Sequence, residues 1–255
     1  MYTVKVLDKG FVTLRNVAGP TRRTGIEMGG DGIFPESVLR DFDADDRDPA
    51  QAARLSFEQG EFGEMKEERT LEEDMKLTRY LLLNEHTSPF EMIQVWIEVK
   101  VPIFVDRQMV RHRTWSRNES SARYITLPNE WYIPETVGGK SPTKKQGRSE
   151  NLDPEIQDLF KAKLDNQCAD SYRQYEQFLE LRVAPEHARM FLHLNHYVHW
   201  IGSVNLHNLF RFLRLRLHSH AQYEARIYAG AIVELLRPHL PNIMKLFDEV
   251  GRKPE

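Results

Sequence analysis

The chain has 255 residues and a formal net charge of −3, with 38 acidic and 35 basic side chains. This near balance excludes a global positive field of the kind that drives nonspecific binding to nucleic acid, so any site for a polyanion must be local. The single cysteine, Cys168, excludes an intramolecular disulfide and a zinc site built from several cysteines, and it indicates a reducing compartment.

We predict one domain that covers residues 1–255, because no linker separates two halves with apolar periodicity. The N-terminal sequence MYTVKVLDKG lacks the apolar core of a signal peptide. No stretch is long and apolar enough to span a bilayer. We therefore expect a cytoplasmic protein with neither a membrane partner nor a nucleic-acid partner.

The first hundred residues predict a mixture of strands and helices. Residues 2–12 alternate loosely and predict a strand, whereas residues 19–50 are rich in glycine, proline and charge and predict an irregular insertion. Residues 71–84 predict a helix that ends near the turn-like sequence HTSPF at 86–90. In residues 92–101, Val and Ile alternate with polar residues, which is typical of a half-buried strand.

The rest of the chain is dominated by predicted helices. Pro102 can begin a helix that runs to about Val110. The polar, basic and glycine-containing residues 136–151 predict a mobile loop. Strands are predicted at 122–127 and 198–205, and helices at 153–183, from 185 onward, at 206–217 and at 219–236.

The sequence RHRTWSRNESSARY at 111–124 concentrates hydrogen-bond donors in a short segment. A guanidinium offers a planar fork of donors that matches phosphate, while Ser, Asn and backbone N–H groups can bind the remaining oxygens. Glu119 could orient an arginine or accept from a uracil-like N–H. The alternative is a basic surface loop whose charges pair with carboxylates elsewhere. The regular pattern, R-H-R followed by Ser121 after seven residues, favours an anion site.

This stretch resembles the signature of the flavin-dependent thymidylate synthases, R-H-R-x-x-S-x-N-E-x-S-x-R-Y, at every specified position. The resemblance covers most of the chain, apart from residues 19–50 and 136–151. Further segments that resemble the family, in the family's order, are DKGFV at 8–12, ARLSF at 53–57, HTSPFE at 86–91, APEHAR at 184–189 and NLFRFLRLRLHSHAQYE at 208–224.

The resemblance implies an α+β fold, a mainly helical single domain with a small central sheet that is antiparallel or mixed. It also implies a homotetramer with active sites at subunit interfaces. The implied reaction is the reductive methylation of dUMP to dTMP without a covalent enzyme thiol. FAD reduced by NADPH is the implied cofactor, and methylenetetrahydrofolate is the carbon donor that becomes tetrahydrofolate. No G-x-G-x-x-G follows a strand, so the expected FAD site is not of the Rossmann type.

The resemblance also implies roles for single residues. Arg216 is the implied catalytic residue, because a guanidinium can stabilise a uracil ring that has lost its N3 proton. His86 is implied in a folate or flavin pocket. The implied dUMP ligands are Gln108, Arg111, Glu119, Ser121, Ala122, Arg123, Arg189 and Arg216. The implied FAD ligands are Ser56, Ser88, Glu91, Arg111, His112, Arg113, Glu119, Asn205, His207 and Arg211.

Three of these positions depart from the family pattern. His207 stands where many members have Arg, Arg211 where some have Asn, and Ala122 where some have Gly. His207 can be neutral near pH 7, whereas an arginine is always charged. Ala122 matters only if its backbone needs a positive φ.

The other candidate groups are expected to be structural. Ser121 lacks a recognisable activating base and is predicted to position substrate. Cys168 is predicted to pack in a helix, since no run of cations adjoins it to lower its pKa. Histidines at 187, 193, 196 and 199 and the HSH at 218–220 are predicted to be core or hydrogen-bonded residues, with no metal site.

Two hypotheses from other classes stay open on the residues alone. One is an RNA- or nucleotide-binding module whose arginine-rich loop grips phosphates without chemistry. The other is a metalloenzyme with histidine ligands. Flavin absorbance of the purified protein distinguishes the flavoenzyme from both.

Overall fold

The computed structural model describes residues 2–20, 43–54, 69–142 and 147–251. The strands are β1 (Tyr2–Val6), β2 (Gly10–Ala18), β3 (Gln94–Pro102), β4 (Ser116–Glu119), β5 (Gly138–Lys140), β6 (Arg148–Asn151) and β7 (Tyr197–Asn205). Five of them form an antiparallel sheet in the order β1-β2-β3-β7-β4, and β5 pairs with β6 separately.

Helices contain more of the described residues than strands do. They are α1 (Asp48–Arg54), α2 (Leu71–Leu83), α3 (Ser88–Glu91), α4 (Ile103–Met109), α5 (Pro154–Glu180), α6 (Pro185–Ala188), α7 (Leu206–Arg216), α8 (Tyr223–Leu236) and α9 (Pro241–Leu246). A 3-10 helix (Arg189–Phe191) follows α6, and a π-helix (Phe247–Gly251) follows α9. The predicted α+β class is confirmed, and the sheet is antiparallel. Within the described ranges, no helix is long and apolar enough to cross a membrane.

The core lies between the sheet and the C-terminal helices. In β3, Val95, Ile97 and Val99 alternate with polar residues and are at most 1% exposed, as the sequence predicts. α8 packs on β1 and β2, and α7 packs on β7. The predicted helices at 71–84, 153–183, 206–217 and 219–236 and the strands at 92–101 and 198–205 are confirmed, with small differences at their ends.

The prediction of one strand over residues 2–12 is wrong, because the chain turns back on itself there. β1 and β2 form a hairpin, and Leu7 in its turn has a φ of 58°. Gly10 is the first residue of β2, and a Cβ atom at this position would lie 2.1 Å from the Tyr228 hydroxyl. The hairpin therefore needs a glycine at this position so that the strand can approach α8.

The predicted strand at 122–127 is also wrong. The Tyr124 amide donates to the Ser121 carbonyl in a turn, at 2.9 Å, and the Tyr124 side chain is 82% exposed. The strand lies earlier in the motif, at β4, which pairs with β7. Since β3 occupies the other edge of β7, no edge of that strand is left for residues 122–127.

The two predicted irregular segments carry more structure than expected. Residues 136–151 contain the β5–β6 hairpin, which is fixed to α5 where the Val137 amide donates to Gln157 Oε1 at 2.9 Å; residues 143–146 lie outside the described ranges. In the predicted insertion at 19–50, residues 21–42 also lie outside the described ranges. Its last part is buried, and the Asp46 carboxylate accepts from the backbone amides of Asn242 and Ile243 at 3.0 and 2.8 Å.

Candidate active site

The arginine-rich motif connects α4 to β4 along one edge of the sheet. Pro102 ends β3 and serves as the N-cap of α4, and β4 then runs antiparallel to β7. Gly202 of β7 lies opposite Arg117 in the register. A Cβ on Gly202 would lie 3.2 Å from the Ser116 carbonyl and 3.3 Å from Arg117 Cγ. The missing side chain therefore allows β4 to lie close against β7.

A cavity of about 440 Å³ opens beside this edge. It brings together four of the residues predicted to bind dUMP, namely Glu119, Ser121, Ala122 and Arg189. Its walls mix charged and apolar groups, which suits a ligand with both an anionic part and a ring. The residues that complete the lining are Ile103, Asp106, Arg107, Val110, Ser120, Leu127, Leu192 and Val198. We call this space the first cavity.

The turn after β4 shapes the floor of the first cavity. Ser121 Oγ accepts from the Arg123 amide at 3.3 Å, which fixes the orientation of this side chain in the turn. Ala122 is 6% exposed and does not have a positive φ, since Leu7, Glu85 and Arg182 are the non-glycine residues that do so in the described ranges. Alanine in place of glycine therefore imposes no backbone strain.

Glu119 is held by a group of residues that sequence reasoning missed. Arg117 Nη2 lies between Asp106 Oδ1, at 2.9 Å, and Glu119 Oε2, at 3.2 Å. The Arg117 guanidinium stacks over Trp200 at 4.1 Å, and Trp200 Nε1 donates to Asp106 at 2.9 Å. Burial raises the pKa of Glu119, Asp106 raises it further, and Arg117 opposes both. No local pattern in the sequence indicates this group, because Ser116–Glu119 is polar throughout and Asp106 lies 11 residues before Arg117.

Arg216, the implied catalytic residue, lies in a second group, with Gln108 and His112. Its Nη2 donates to the Gln108 carbonyl at 2.9 Å, and its Nε donates to His112 Nε2 at 3.2 Å. Burial lowers the pKa of His112 to about 4, and Arg216 and Arg211 lower it in the same direction. The imidazole is therefore neutral near pH 7 and can accept the hydrogen bond from Arg216.

These two groups lie on different sides of α4. Asp106, Arg107 and Val110 line the first cavity, whereas Gln108 contacts Arg216. Residues in an α-helix are spaced by about 100°, so Gln108 is turned by about 200° from Asp106. Six of the eight predicted dUMP ligands thus fall into two separate groups in one chain, which we call the two half-sites.

A second cavity, of about 290 Å³, contains His86, His207 and Arg211, together with Glu85 and Arg214. Burial lowers the pKa of His207, while Glu91 opposes that change. Arg214 Nε is buried and has no hydrogen-bond partner among the described residues, and burial lowers the pKa of the side chain. An unpartnered buried guanidinium N–H beside two other basic groups is suited to an anionic ligand.

The other predicted FAD ligands are less closely grouped. Ser88 and Glu91 are the first and last residues of α3, next to the second cavity. The Asn205 side chain caps α7 and accepts from the Asn208 amide at 2.9 Å, so it has a structural role. Arg111 and Arg113 are exposed beyond the end of α4, and Ser56 lies outside the described residues. Arg123, which was predicted to bind dUMP, forms an ion pair with Glu186 at 3.5 Å.

Cys168 and the histidines near 193 lie in a different part of the fold. Cys168 is 3% exposed on α5 and contacts Asn195, and burial raises its pKa. His196 is 2% exposed and stacks on Tyr172. In the part of the chain that the structure describes, no group of three or more His, Cys, Asp or Glu residues could hold a metal ion.

Comparison with known proteins identifies the family. The profile of the family described as "Thymidylate synthase complementing protein" matches residues 37–242. A protein named flavin-dependent thymidylate synthase from Rickettsia typhi is 36% identical over 97% of this chain and 78% of its own length. The chain belongs to the flavin-dependent thymidylate synthase family. A relative of the same name from Anaplasma marginale is 43% identical over 96% of this chain and 74% of its own length.

The fold agrees with this assignment. A crystal structure of a UMP/dUMP methylase, PolB from Streptomyces cacaoi, bound with 5-Br dUMP, superposes with a TM-score of 0.78. The alignment covers 98% of this chain and all of the other, at 24% identity. The family match begins at residue 37, inside the segment predicted as an insertion. Residues 37–50 of that segment are thus part of the region that the flavin-dependent thymidylate synthases share.

Proposed function

We propose that this chain catalyses the reductive methylation of dUMP to dTMP in the cytoplasm. Methylenetetrahydrofolate is the proposed carbon donor and leaves as tetrahydrofolate, and NADPH is the proposed reductant of FAD. The observation that carries the proposal is the first cavity, where Glu119, Ser121 and Arg189 line one space of about 440 Å³. An arginine there suits the phosphate of a nucleotide, and a carboxylate suits a ring N–H.

The second cavity supports the proposed FAD site. FAD carries two phosphates, and a space of about 290 Å³ lined by Arg211, Arg214 and His207 fits an anionic portion of that molecule. The unpartnered Nε of Arg214 supports the same assignment. When bound, FAD would supply reducing equivalents from NADPH for the one-carbon transfer.

Arg216 is the proposed catalytic residue. Uracil C5 is a poor nucleophile while N3 keeps its proton, and this mechanism has no thiolate that adds to C6. A guanidinium beside N3 and O4 stabilises the negative charge of the deprotonated ring and so makes C5 more electron-rich. The bonds from Arg216 to the Gln108 carbonyl and to neutral His112 hold the guanidinium in one orientation for this role.

The separation of the two half-sites supports a shared active site. Within one chain, the first cavity and the Arg216 group involve residues on different sides of α4, which favours a dUMP site whose two halves come from two chains. Two chains packed together can bring the cavity of one against Arg216 of the other. We therefore propose a homotetramer whose active sites lie at subunit interfaces.

The first experiment measures flavin and product. The purified protein is expected to be yellow, with flavin absorbance, and to form dTMP from dUMP when methylenetetrahydrofolate and NADPH are supplied. A colourless protein that binds nucleotides without turnover would support the binding-module hypothesis instead. Loss of activity on treatment with a chelator would support the metalloenzyme hypothesis.

The second experiment tests Arg216 by single turnover with FAD reduced beforehand, which separates methylene transfer from the NADPH step. Arg216→Lys keeps the charge but loses the planar fork, so we expect a rate at least about tenfold lower, or roughly 1.4 kcal/mol of barrier. Arg173→Lys on the exposed surface of α5 is the matched control, and it should match wild type. An unchanged rate for Arg216→Lys at saturating dUMP would remove Arg216 from catalysis.

The third experiment tests the shared site by mixing two inactive variants, Arg189→Ala and Arg216→Ala. Because the subunits of a closed symmetric oligomer are equivalent, random mixing should give about a quarter of the sites two intact halves. Activity should therefore return after subunit exchange. An active monomer in sedimentation, or mixed oligomers without activity, would contradict the arrangement.

A further inference from the structure

A line of hydrogen bonds runs from the Arg216 group to the start of α8. Gln108 Nε2 donates to Gln222 Oε1. Gln222 Nε2 then donates to Glu224 Oε2 at 2.9 Å. Glu224 is 7% exposed, and its other oxygen accepts from the Tyr132 hydroxyl at 3.4 Å. At the opposite end, Arg216 Nη1 lies 3.5 Å from Gln108 Oε1.

The two ends of this line determine the direction of every bond in it. An ionised carboxylate can only accept hydrogen bonds, so the Gln222 amide must turn its NH₂ group toward Glu224. Gln222 then presents its oxygen to Gln108, which must in turn donate with its NH₂ group. Gln108 is left with its oxygen toward Arg216, and a guanidinium can only donate. Both amide orientations therefore follow from chemistry, although side-chain amide oxygen and nitrogen are hard to distinguish by shape.

A reversed amide would oppose like groups. If Gln108 were flipped, its NH₂ group would face the donors of Arg216 and its oxygen would face the oxygen of Gln222. The cost of these mismatches is largest at Arg216 and Glu224, since the Arg216 guanidinium is partly removed from water and Glu224 is buried. The line thus limits Gln108, and through it Arg216, to one arrangement.

We propose that Gln222 and Glu224 are positioning residues for the half-site formed by Gln108 and Arg216. Neither lines the two cavities described above. They act through Gln108, a predicted dUMP ligand, and the inference rests on the proposed function. Gln222 is exposed and its side chain makes no capping bond to α8, so its contacts with Gln108 and Glu224 are not required for folding of that helix.

Three variants test the directional line. Gln222→Met keeps the length of the side chain but removes both bonds. Gln222→Glu sets a second carboxylate against Glu224. The double variant Gln222→Glu with Glu224→Gln exchanges the two groups, keeps the net charge, and still presents an acceptor to Gln108. Gln174→Met, an exposed glutamine of α5, is the matched control.

The readouts are dUMP affinity by equilibrium dialysis, bound flavin, and the midpoint of urea unfolding. We expect Gln222→Met to weaken dUMP binding about fivefold, as for one lost hydrogen bond, and Gln222→Glu to weaken it at least as much. The exchanged double variant should return to within about twofold of wild type, as should Gln174→Met. Bound flavin and the urea midpoint should stay unchanged in Gln222→Met.

Two results would overturn the inference. One is dUMP binding by Gln222→Met equal to that of wild type, and the other is a double variant as weak as Gln222→Glu. Failure of the proposed function is a separate outcome, because it would show in the wild-type protein as an absence of dUMP binding or of dTMP formation. A merely structural role for Gln222 would lower the urea midpoint and would not be reversed by the exchange.

Discussion

Replacing Cys168 by Ala tests the absence of thiol chemistry. The Cys168 side chain is 3% exposed, and its Sγ lies 3.3 Å from Asn195 Nδ2. Asn195 keeps its stronger bond to the Tyr132 carbonyl at 2.9 Å, so the variant takes from this amide only its weak N–H contact with sulfur. The loss is then one buried atom and one weak contact, or about 1 to 1.5 kcal/mol of the free energy of unfolding.

The assay compares stability with turnover. For a chain of this size, the loss in stability corresponds to a melting temperature lower by roughly 2 to 6 °C. We expect dTMP formation within about twofold of wild type at a temperature where both proteins are folded, since one buried atom far from ligands changes little in the transition state. Burial raises the pKa of Cys168, which keeps the thiol protonated and a poor nucleophile. A folded variant that binds flavin but is inactive would refute this reasoning.

Three further changes test the fold. Burial lowers the pKa of His196 to about 4 from 6.5, so the unfolded state binds an extra proton between these pH values. His196 should therefore contribute about 3 kcal/mol to the fall in the free energy of unfolding from pH 6.5 to 4, and His196→Gln should remove this contribution in urea titrations while that of His112 remains. Gly10→Ala should cost about 3 kcal/mol in the same assay, since its Cβ would collide with the Tyr228 hydroxyl. Asp46→Asn should lower the free energy of unfolding by roughly 2 to 4 kcal/mol, because both carboxylate oxygens accept from the backbone amides of Asn242 and Ile243 and the Asn side chain has only one acceptor oxygen. For either substitution, a melting temperature equal to that of wild type would contradict the prediction.

The parts of the fold that depend on local pattern could be predicted from the sequence. β3 could be predicted because its apolar residues alternate and one face is fully buried. α4 could be predicted because Pro102 sets its first turn. β4 could not be predicted, since Ser116–Glu119 is polar throughout and becomes a strand only by pairing with β7. The tight turn at Leu7 was missed because its positive φ has no glycine to indicate it.

The candidate site shows the same division. The motif and the resemblance identified residues such as Glu119 and Arg216, but not which of them share a cavity. That grouping depends on which side of α4 each residue occupies and on how β4 lies against the helix. Asp106 and Arg117 are 11 residues apart in sequence, and their ion pair, which fixes Arg117 beside Glu119, forms only in the folded chain. Single-sequence patterns carry no information on such contacts.

The strand order of the sheet also sets when the site can form during synthesis. Among the strands that the structure describes, β4 pairs only with β7, and β7 ends at Asn205, 86 residues after Glu119. At typical elongation rates of about 5 to 20 residues per second, β4 remains without its partner for roughly 4 to 17 s after it is made. The segment that carries the arginine-rich motif is therefore among the last parts of the sheet to be fixed on the ribosome. Slow codons placed between residues 119 and 205 would lengthen this exposed interval, whereas slow codons after β7 would not.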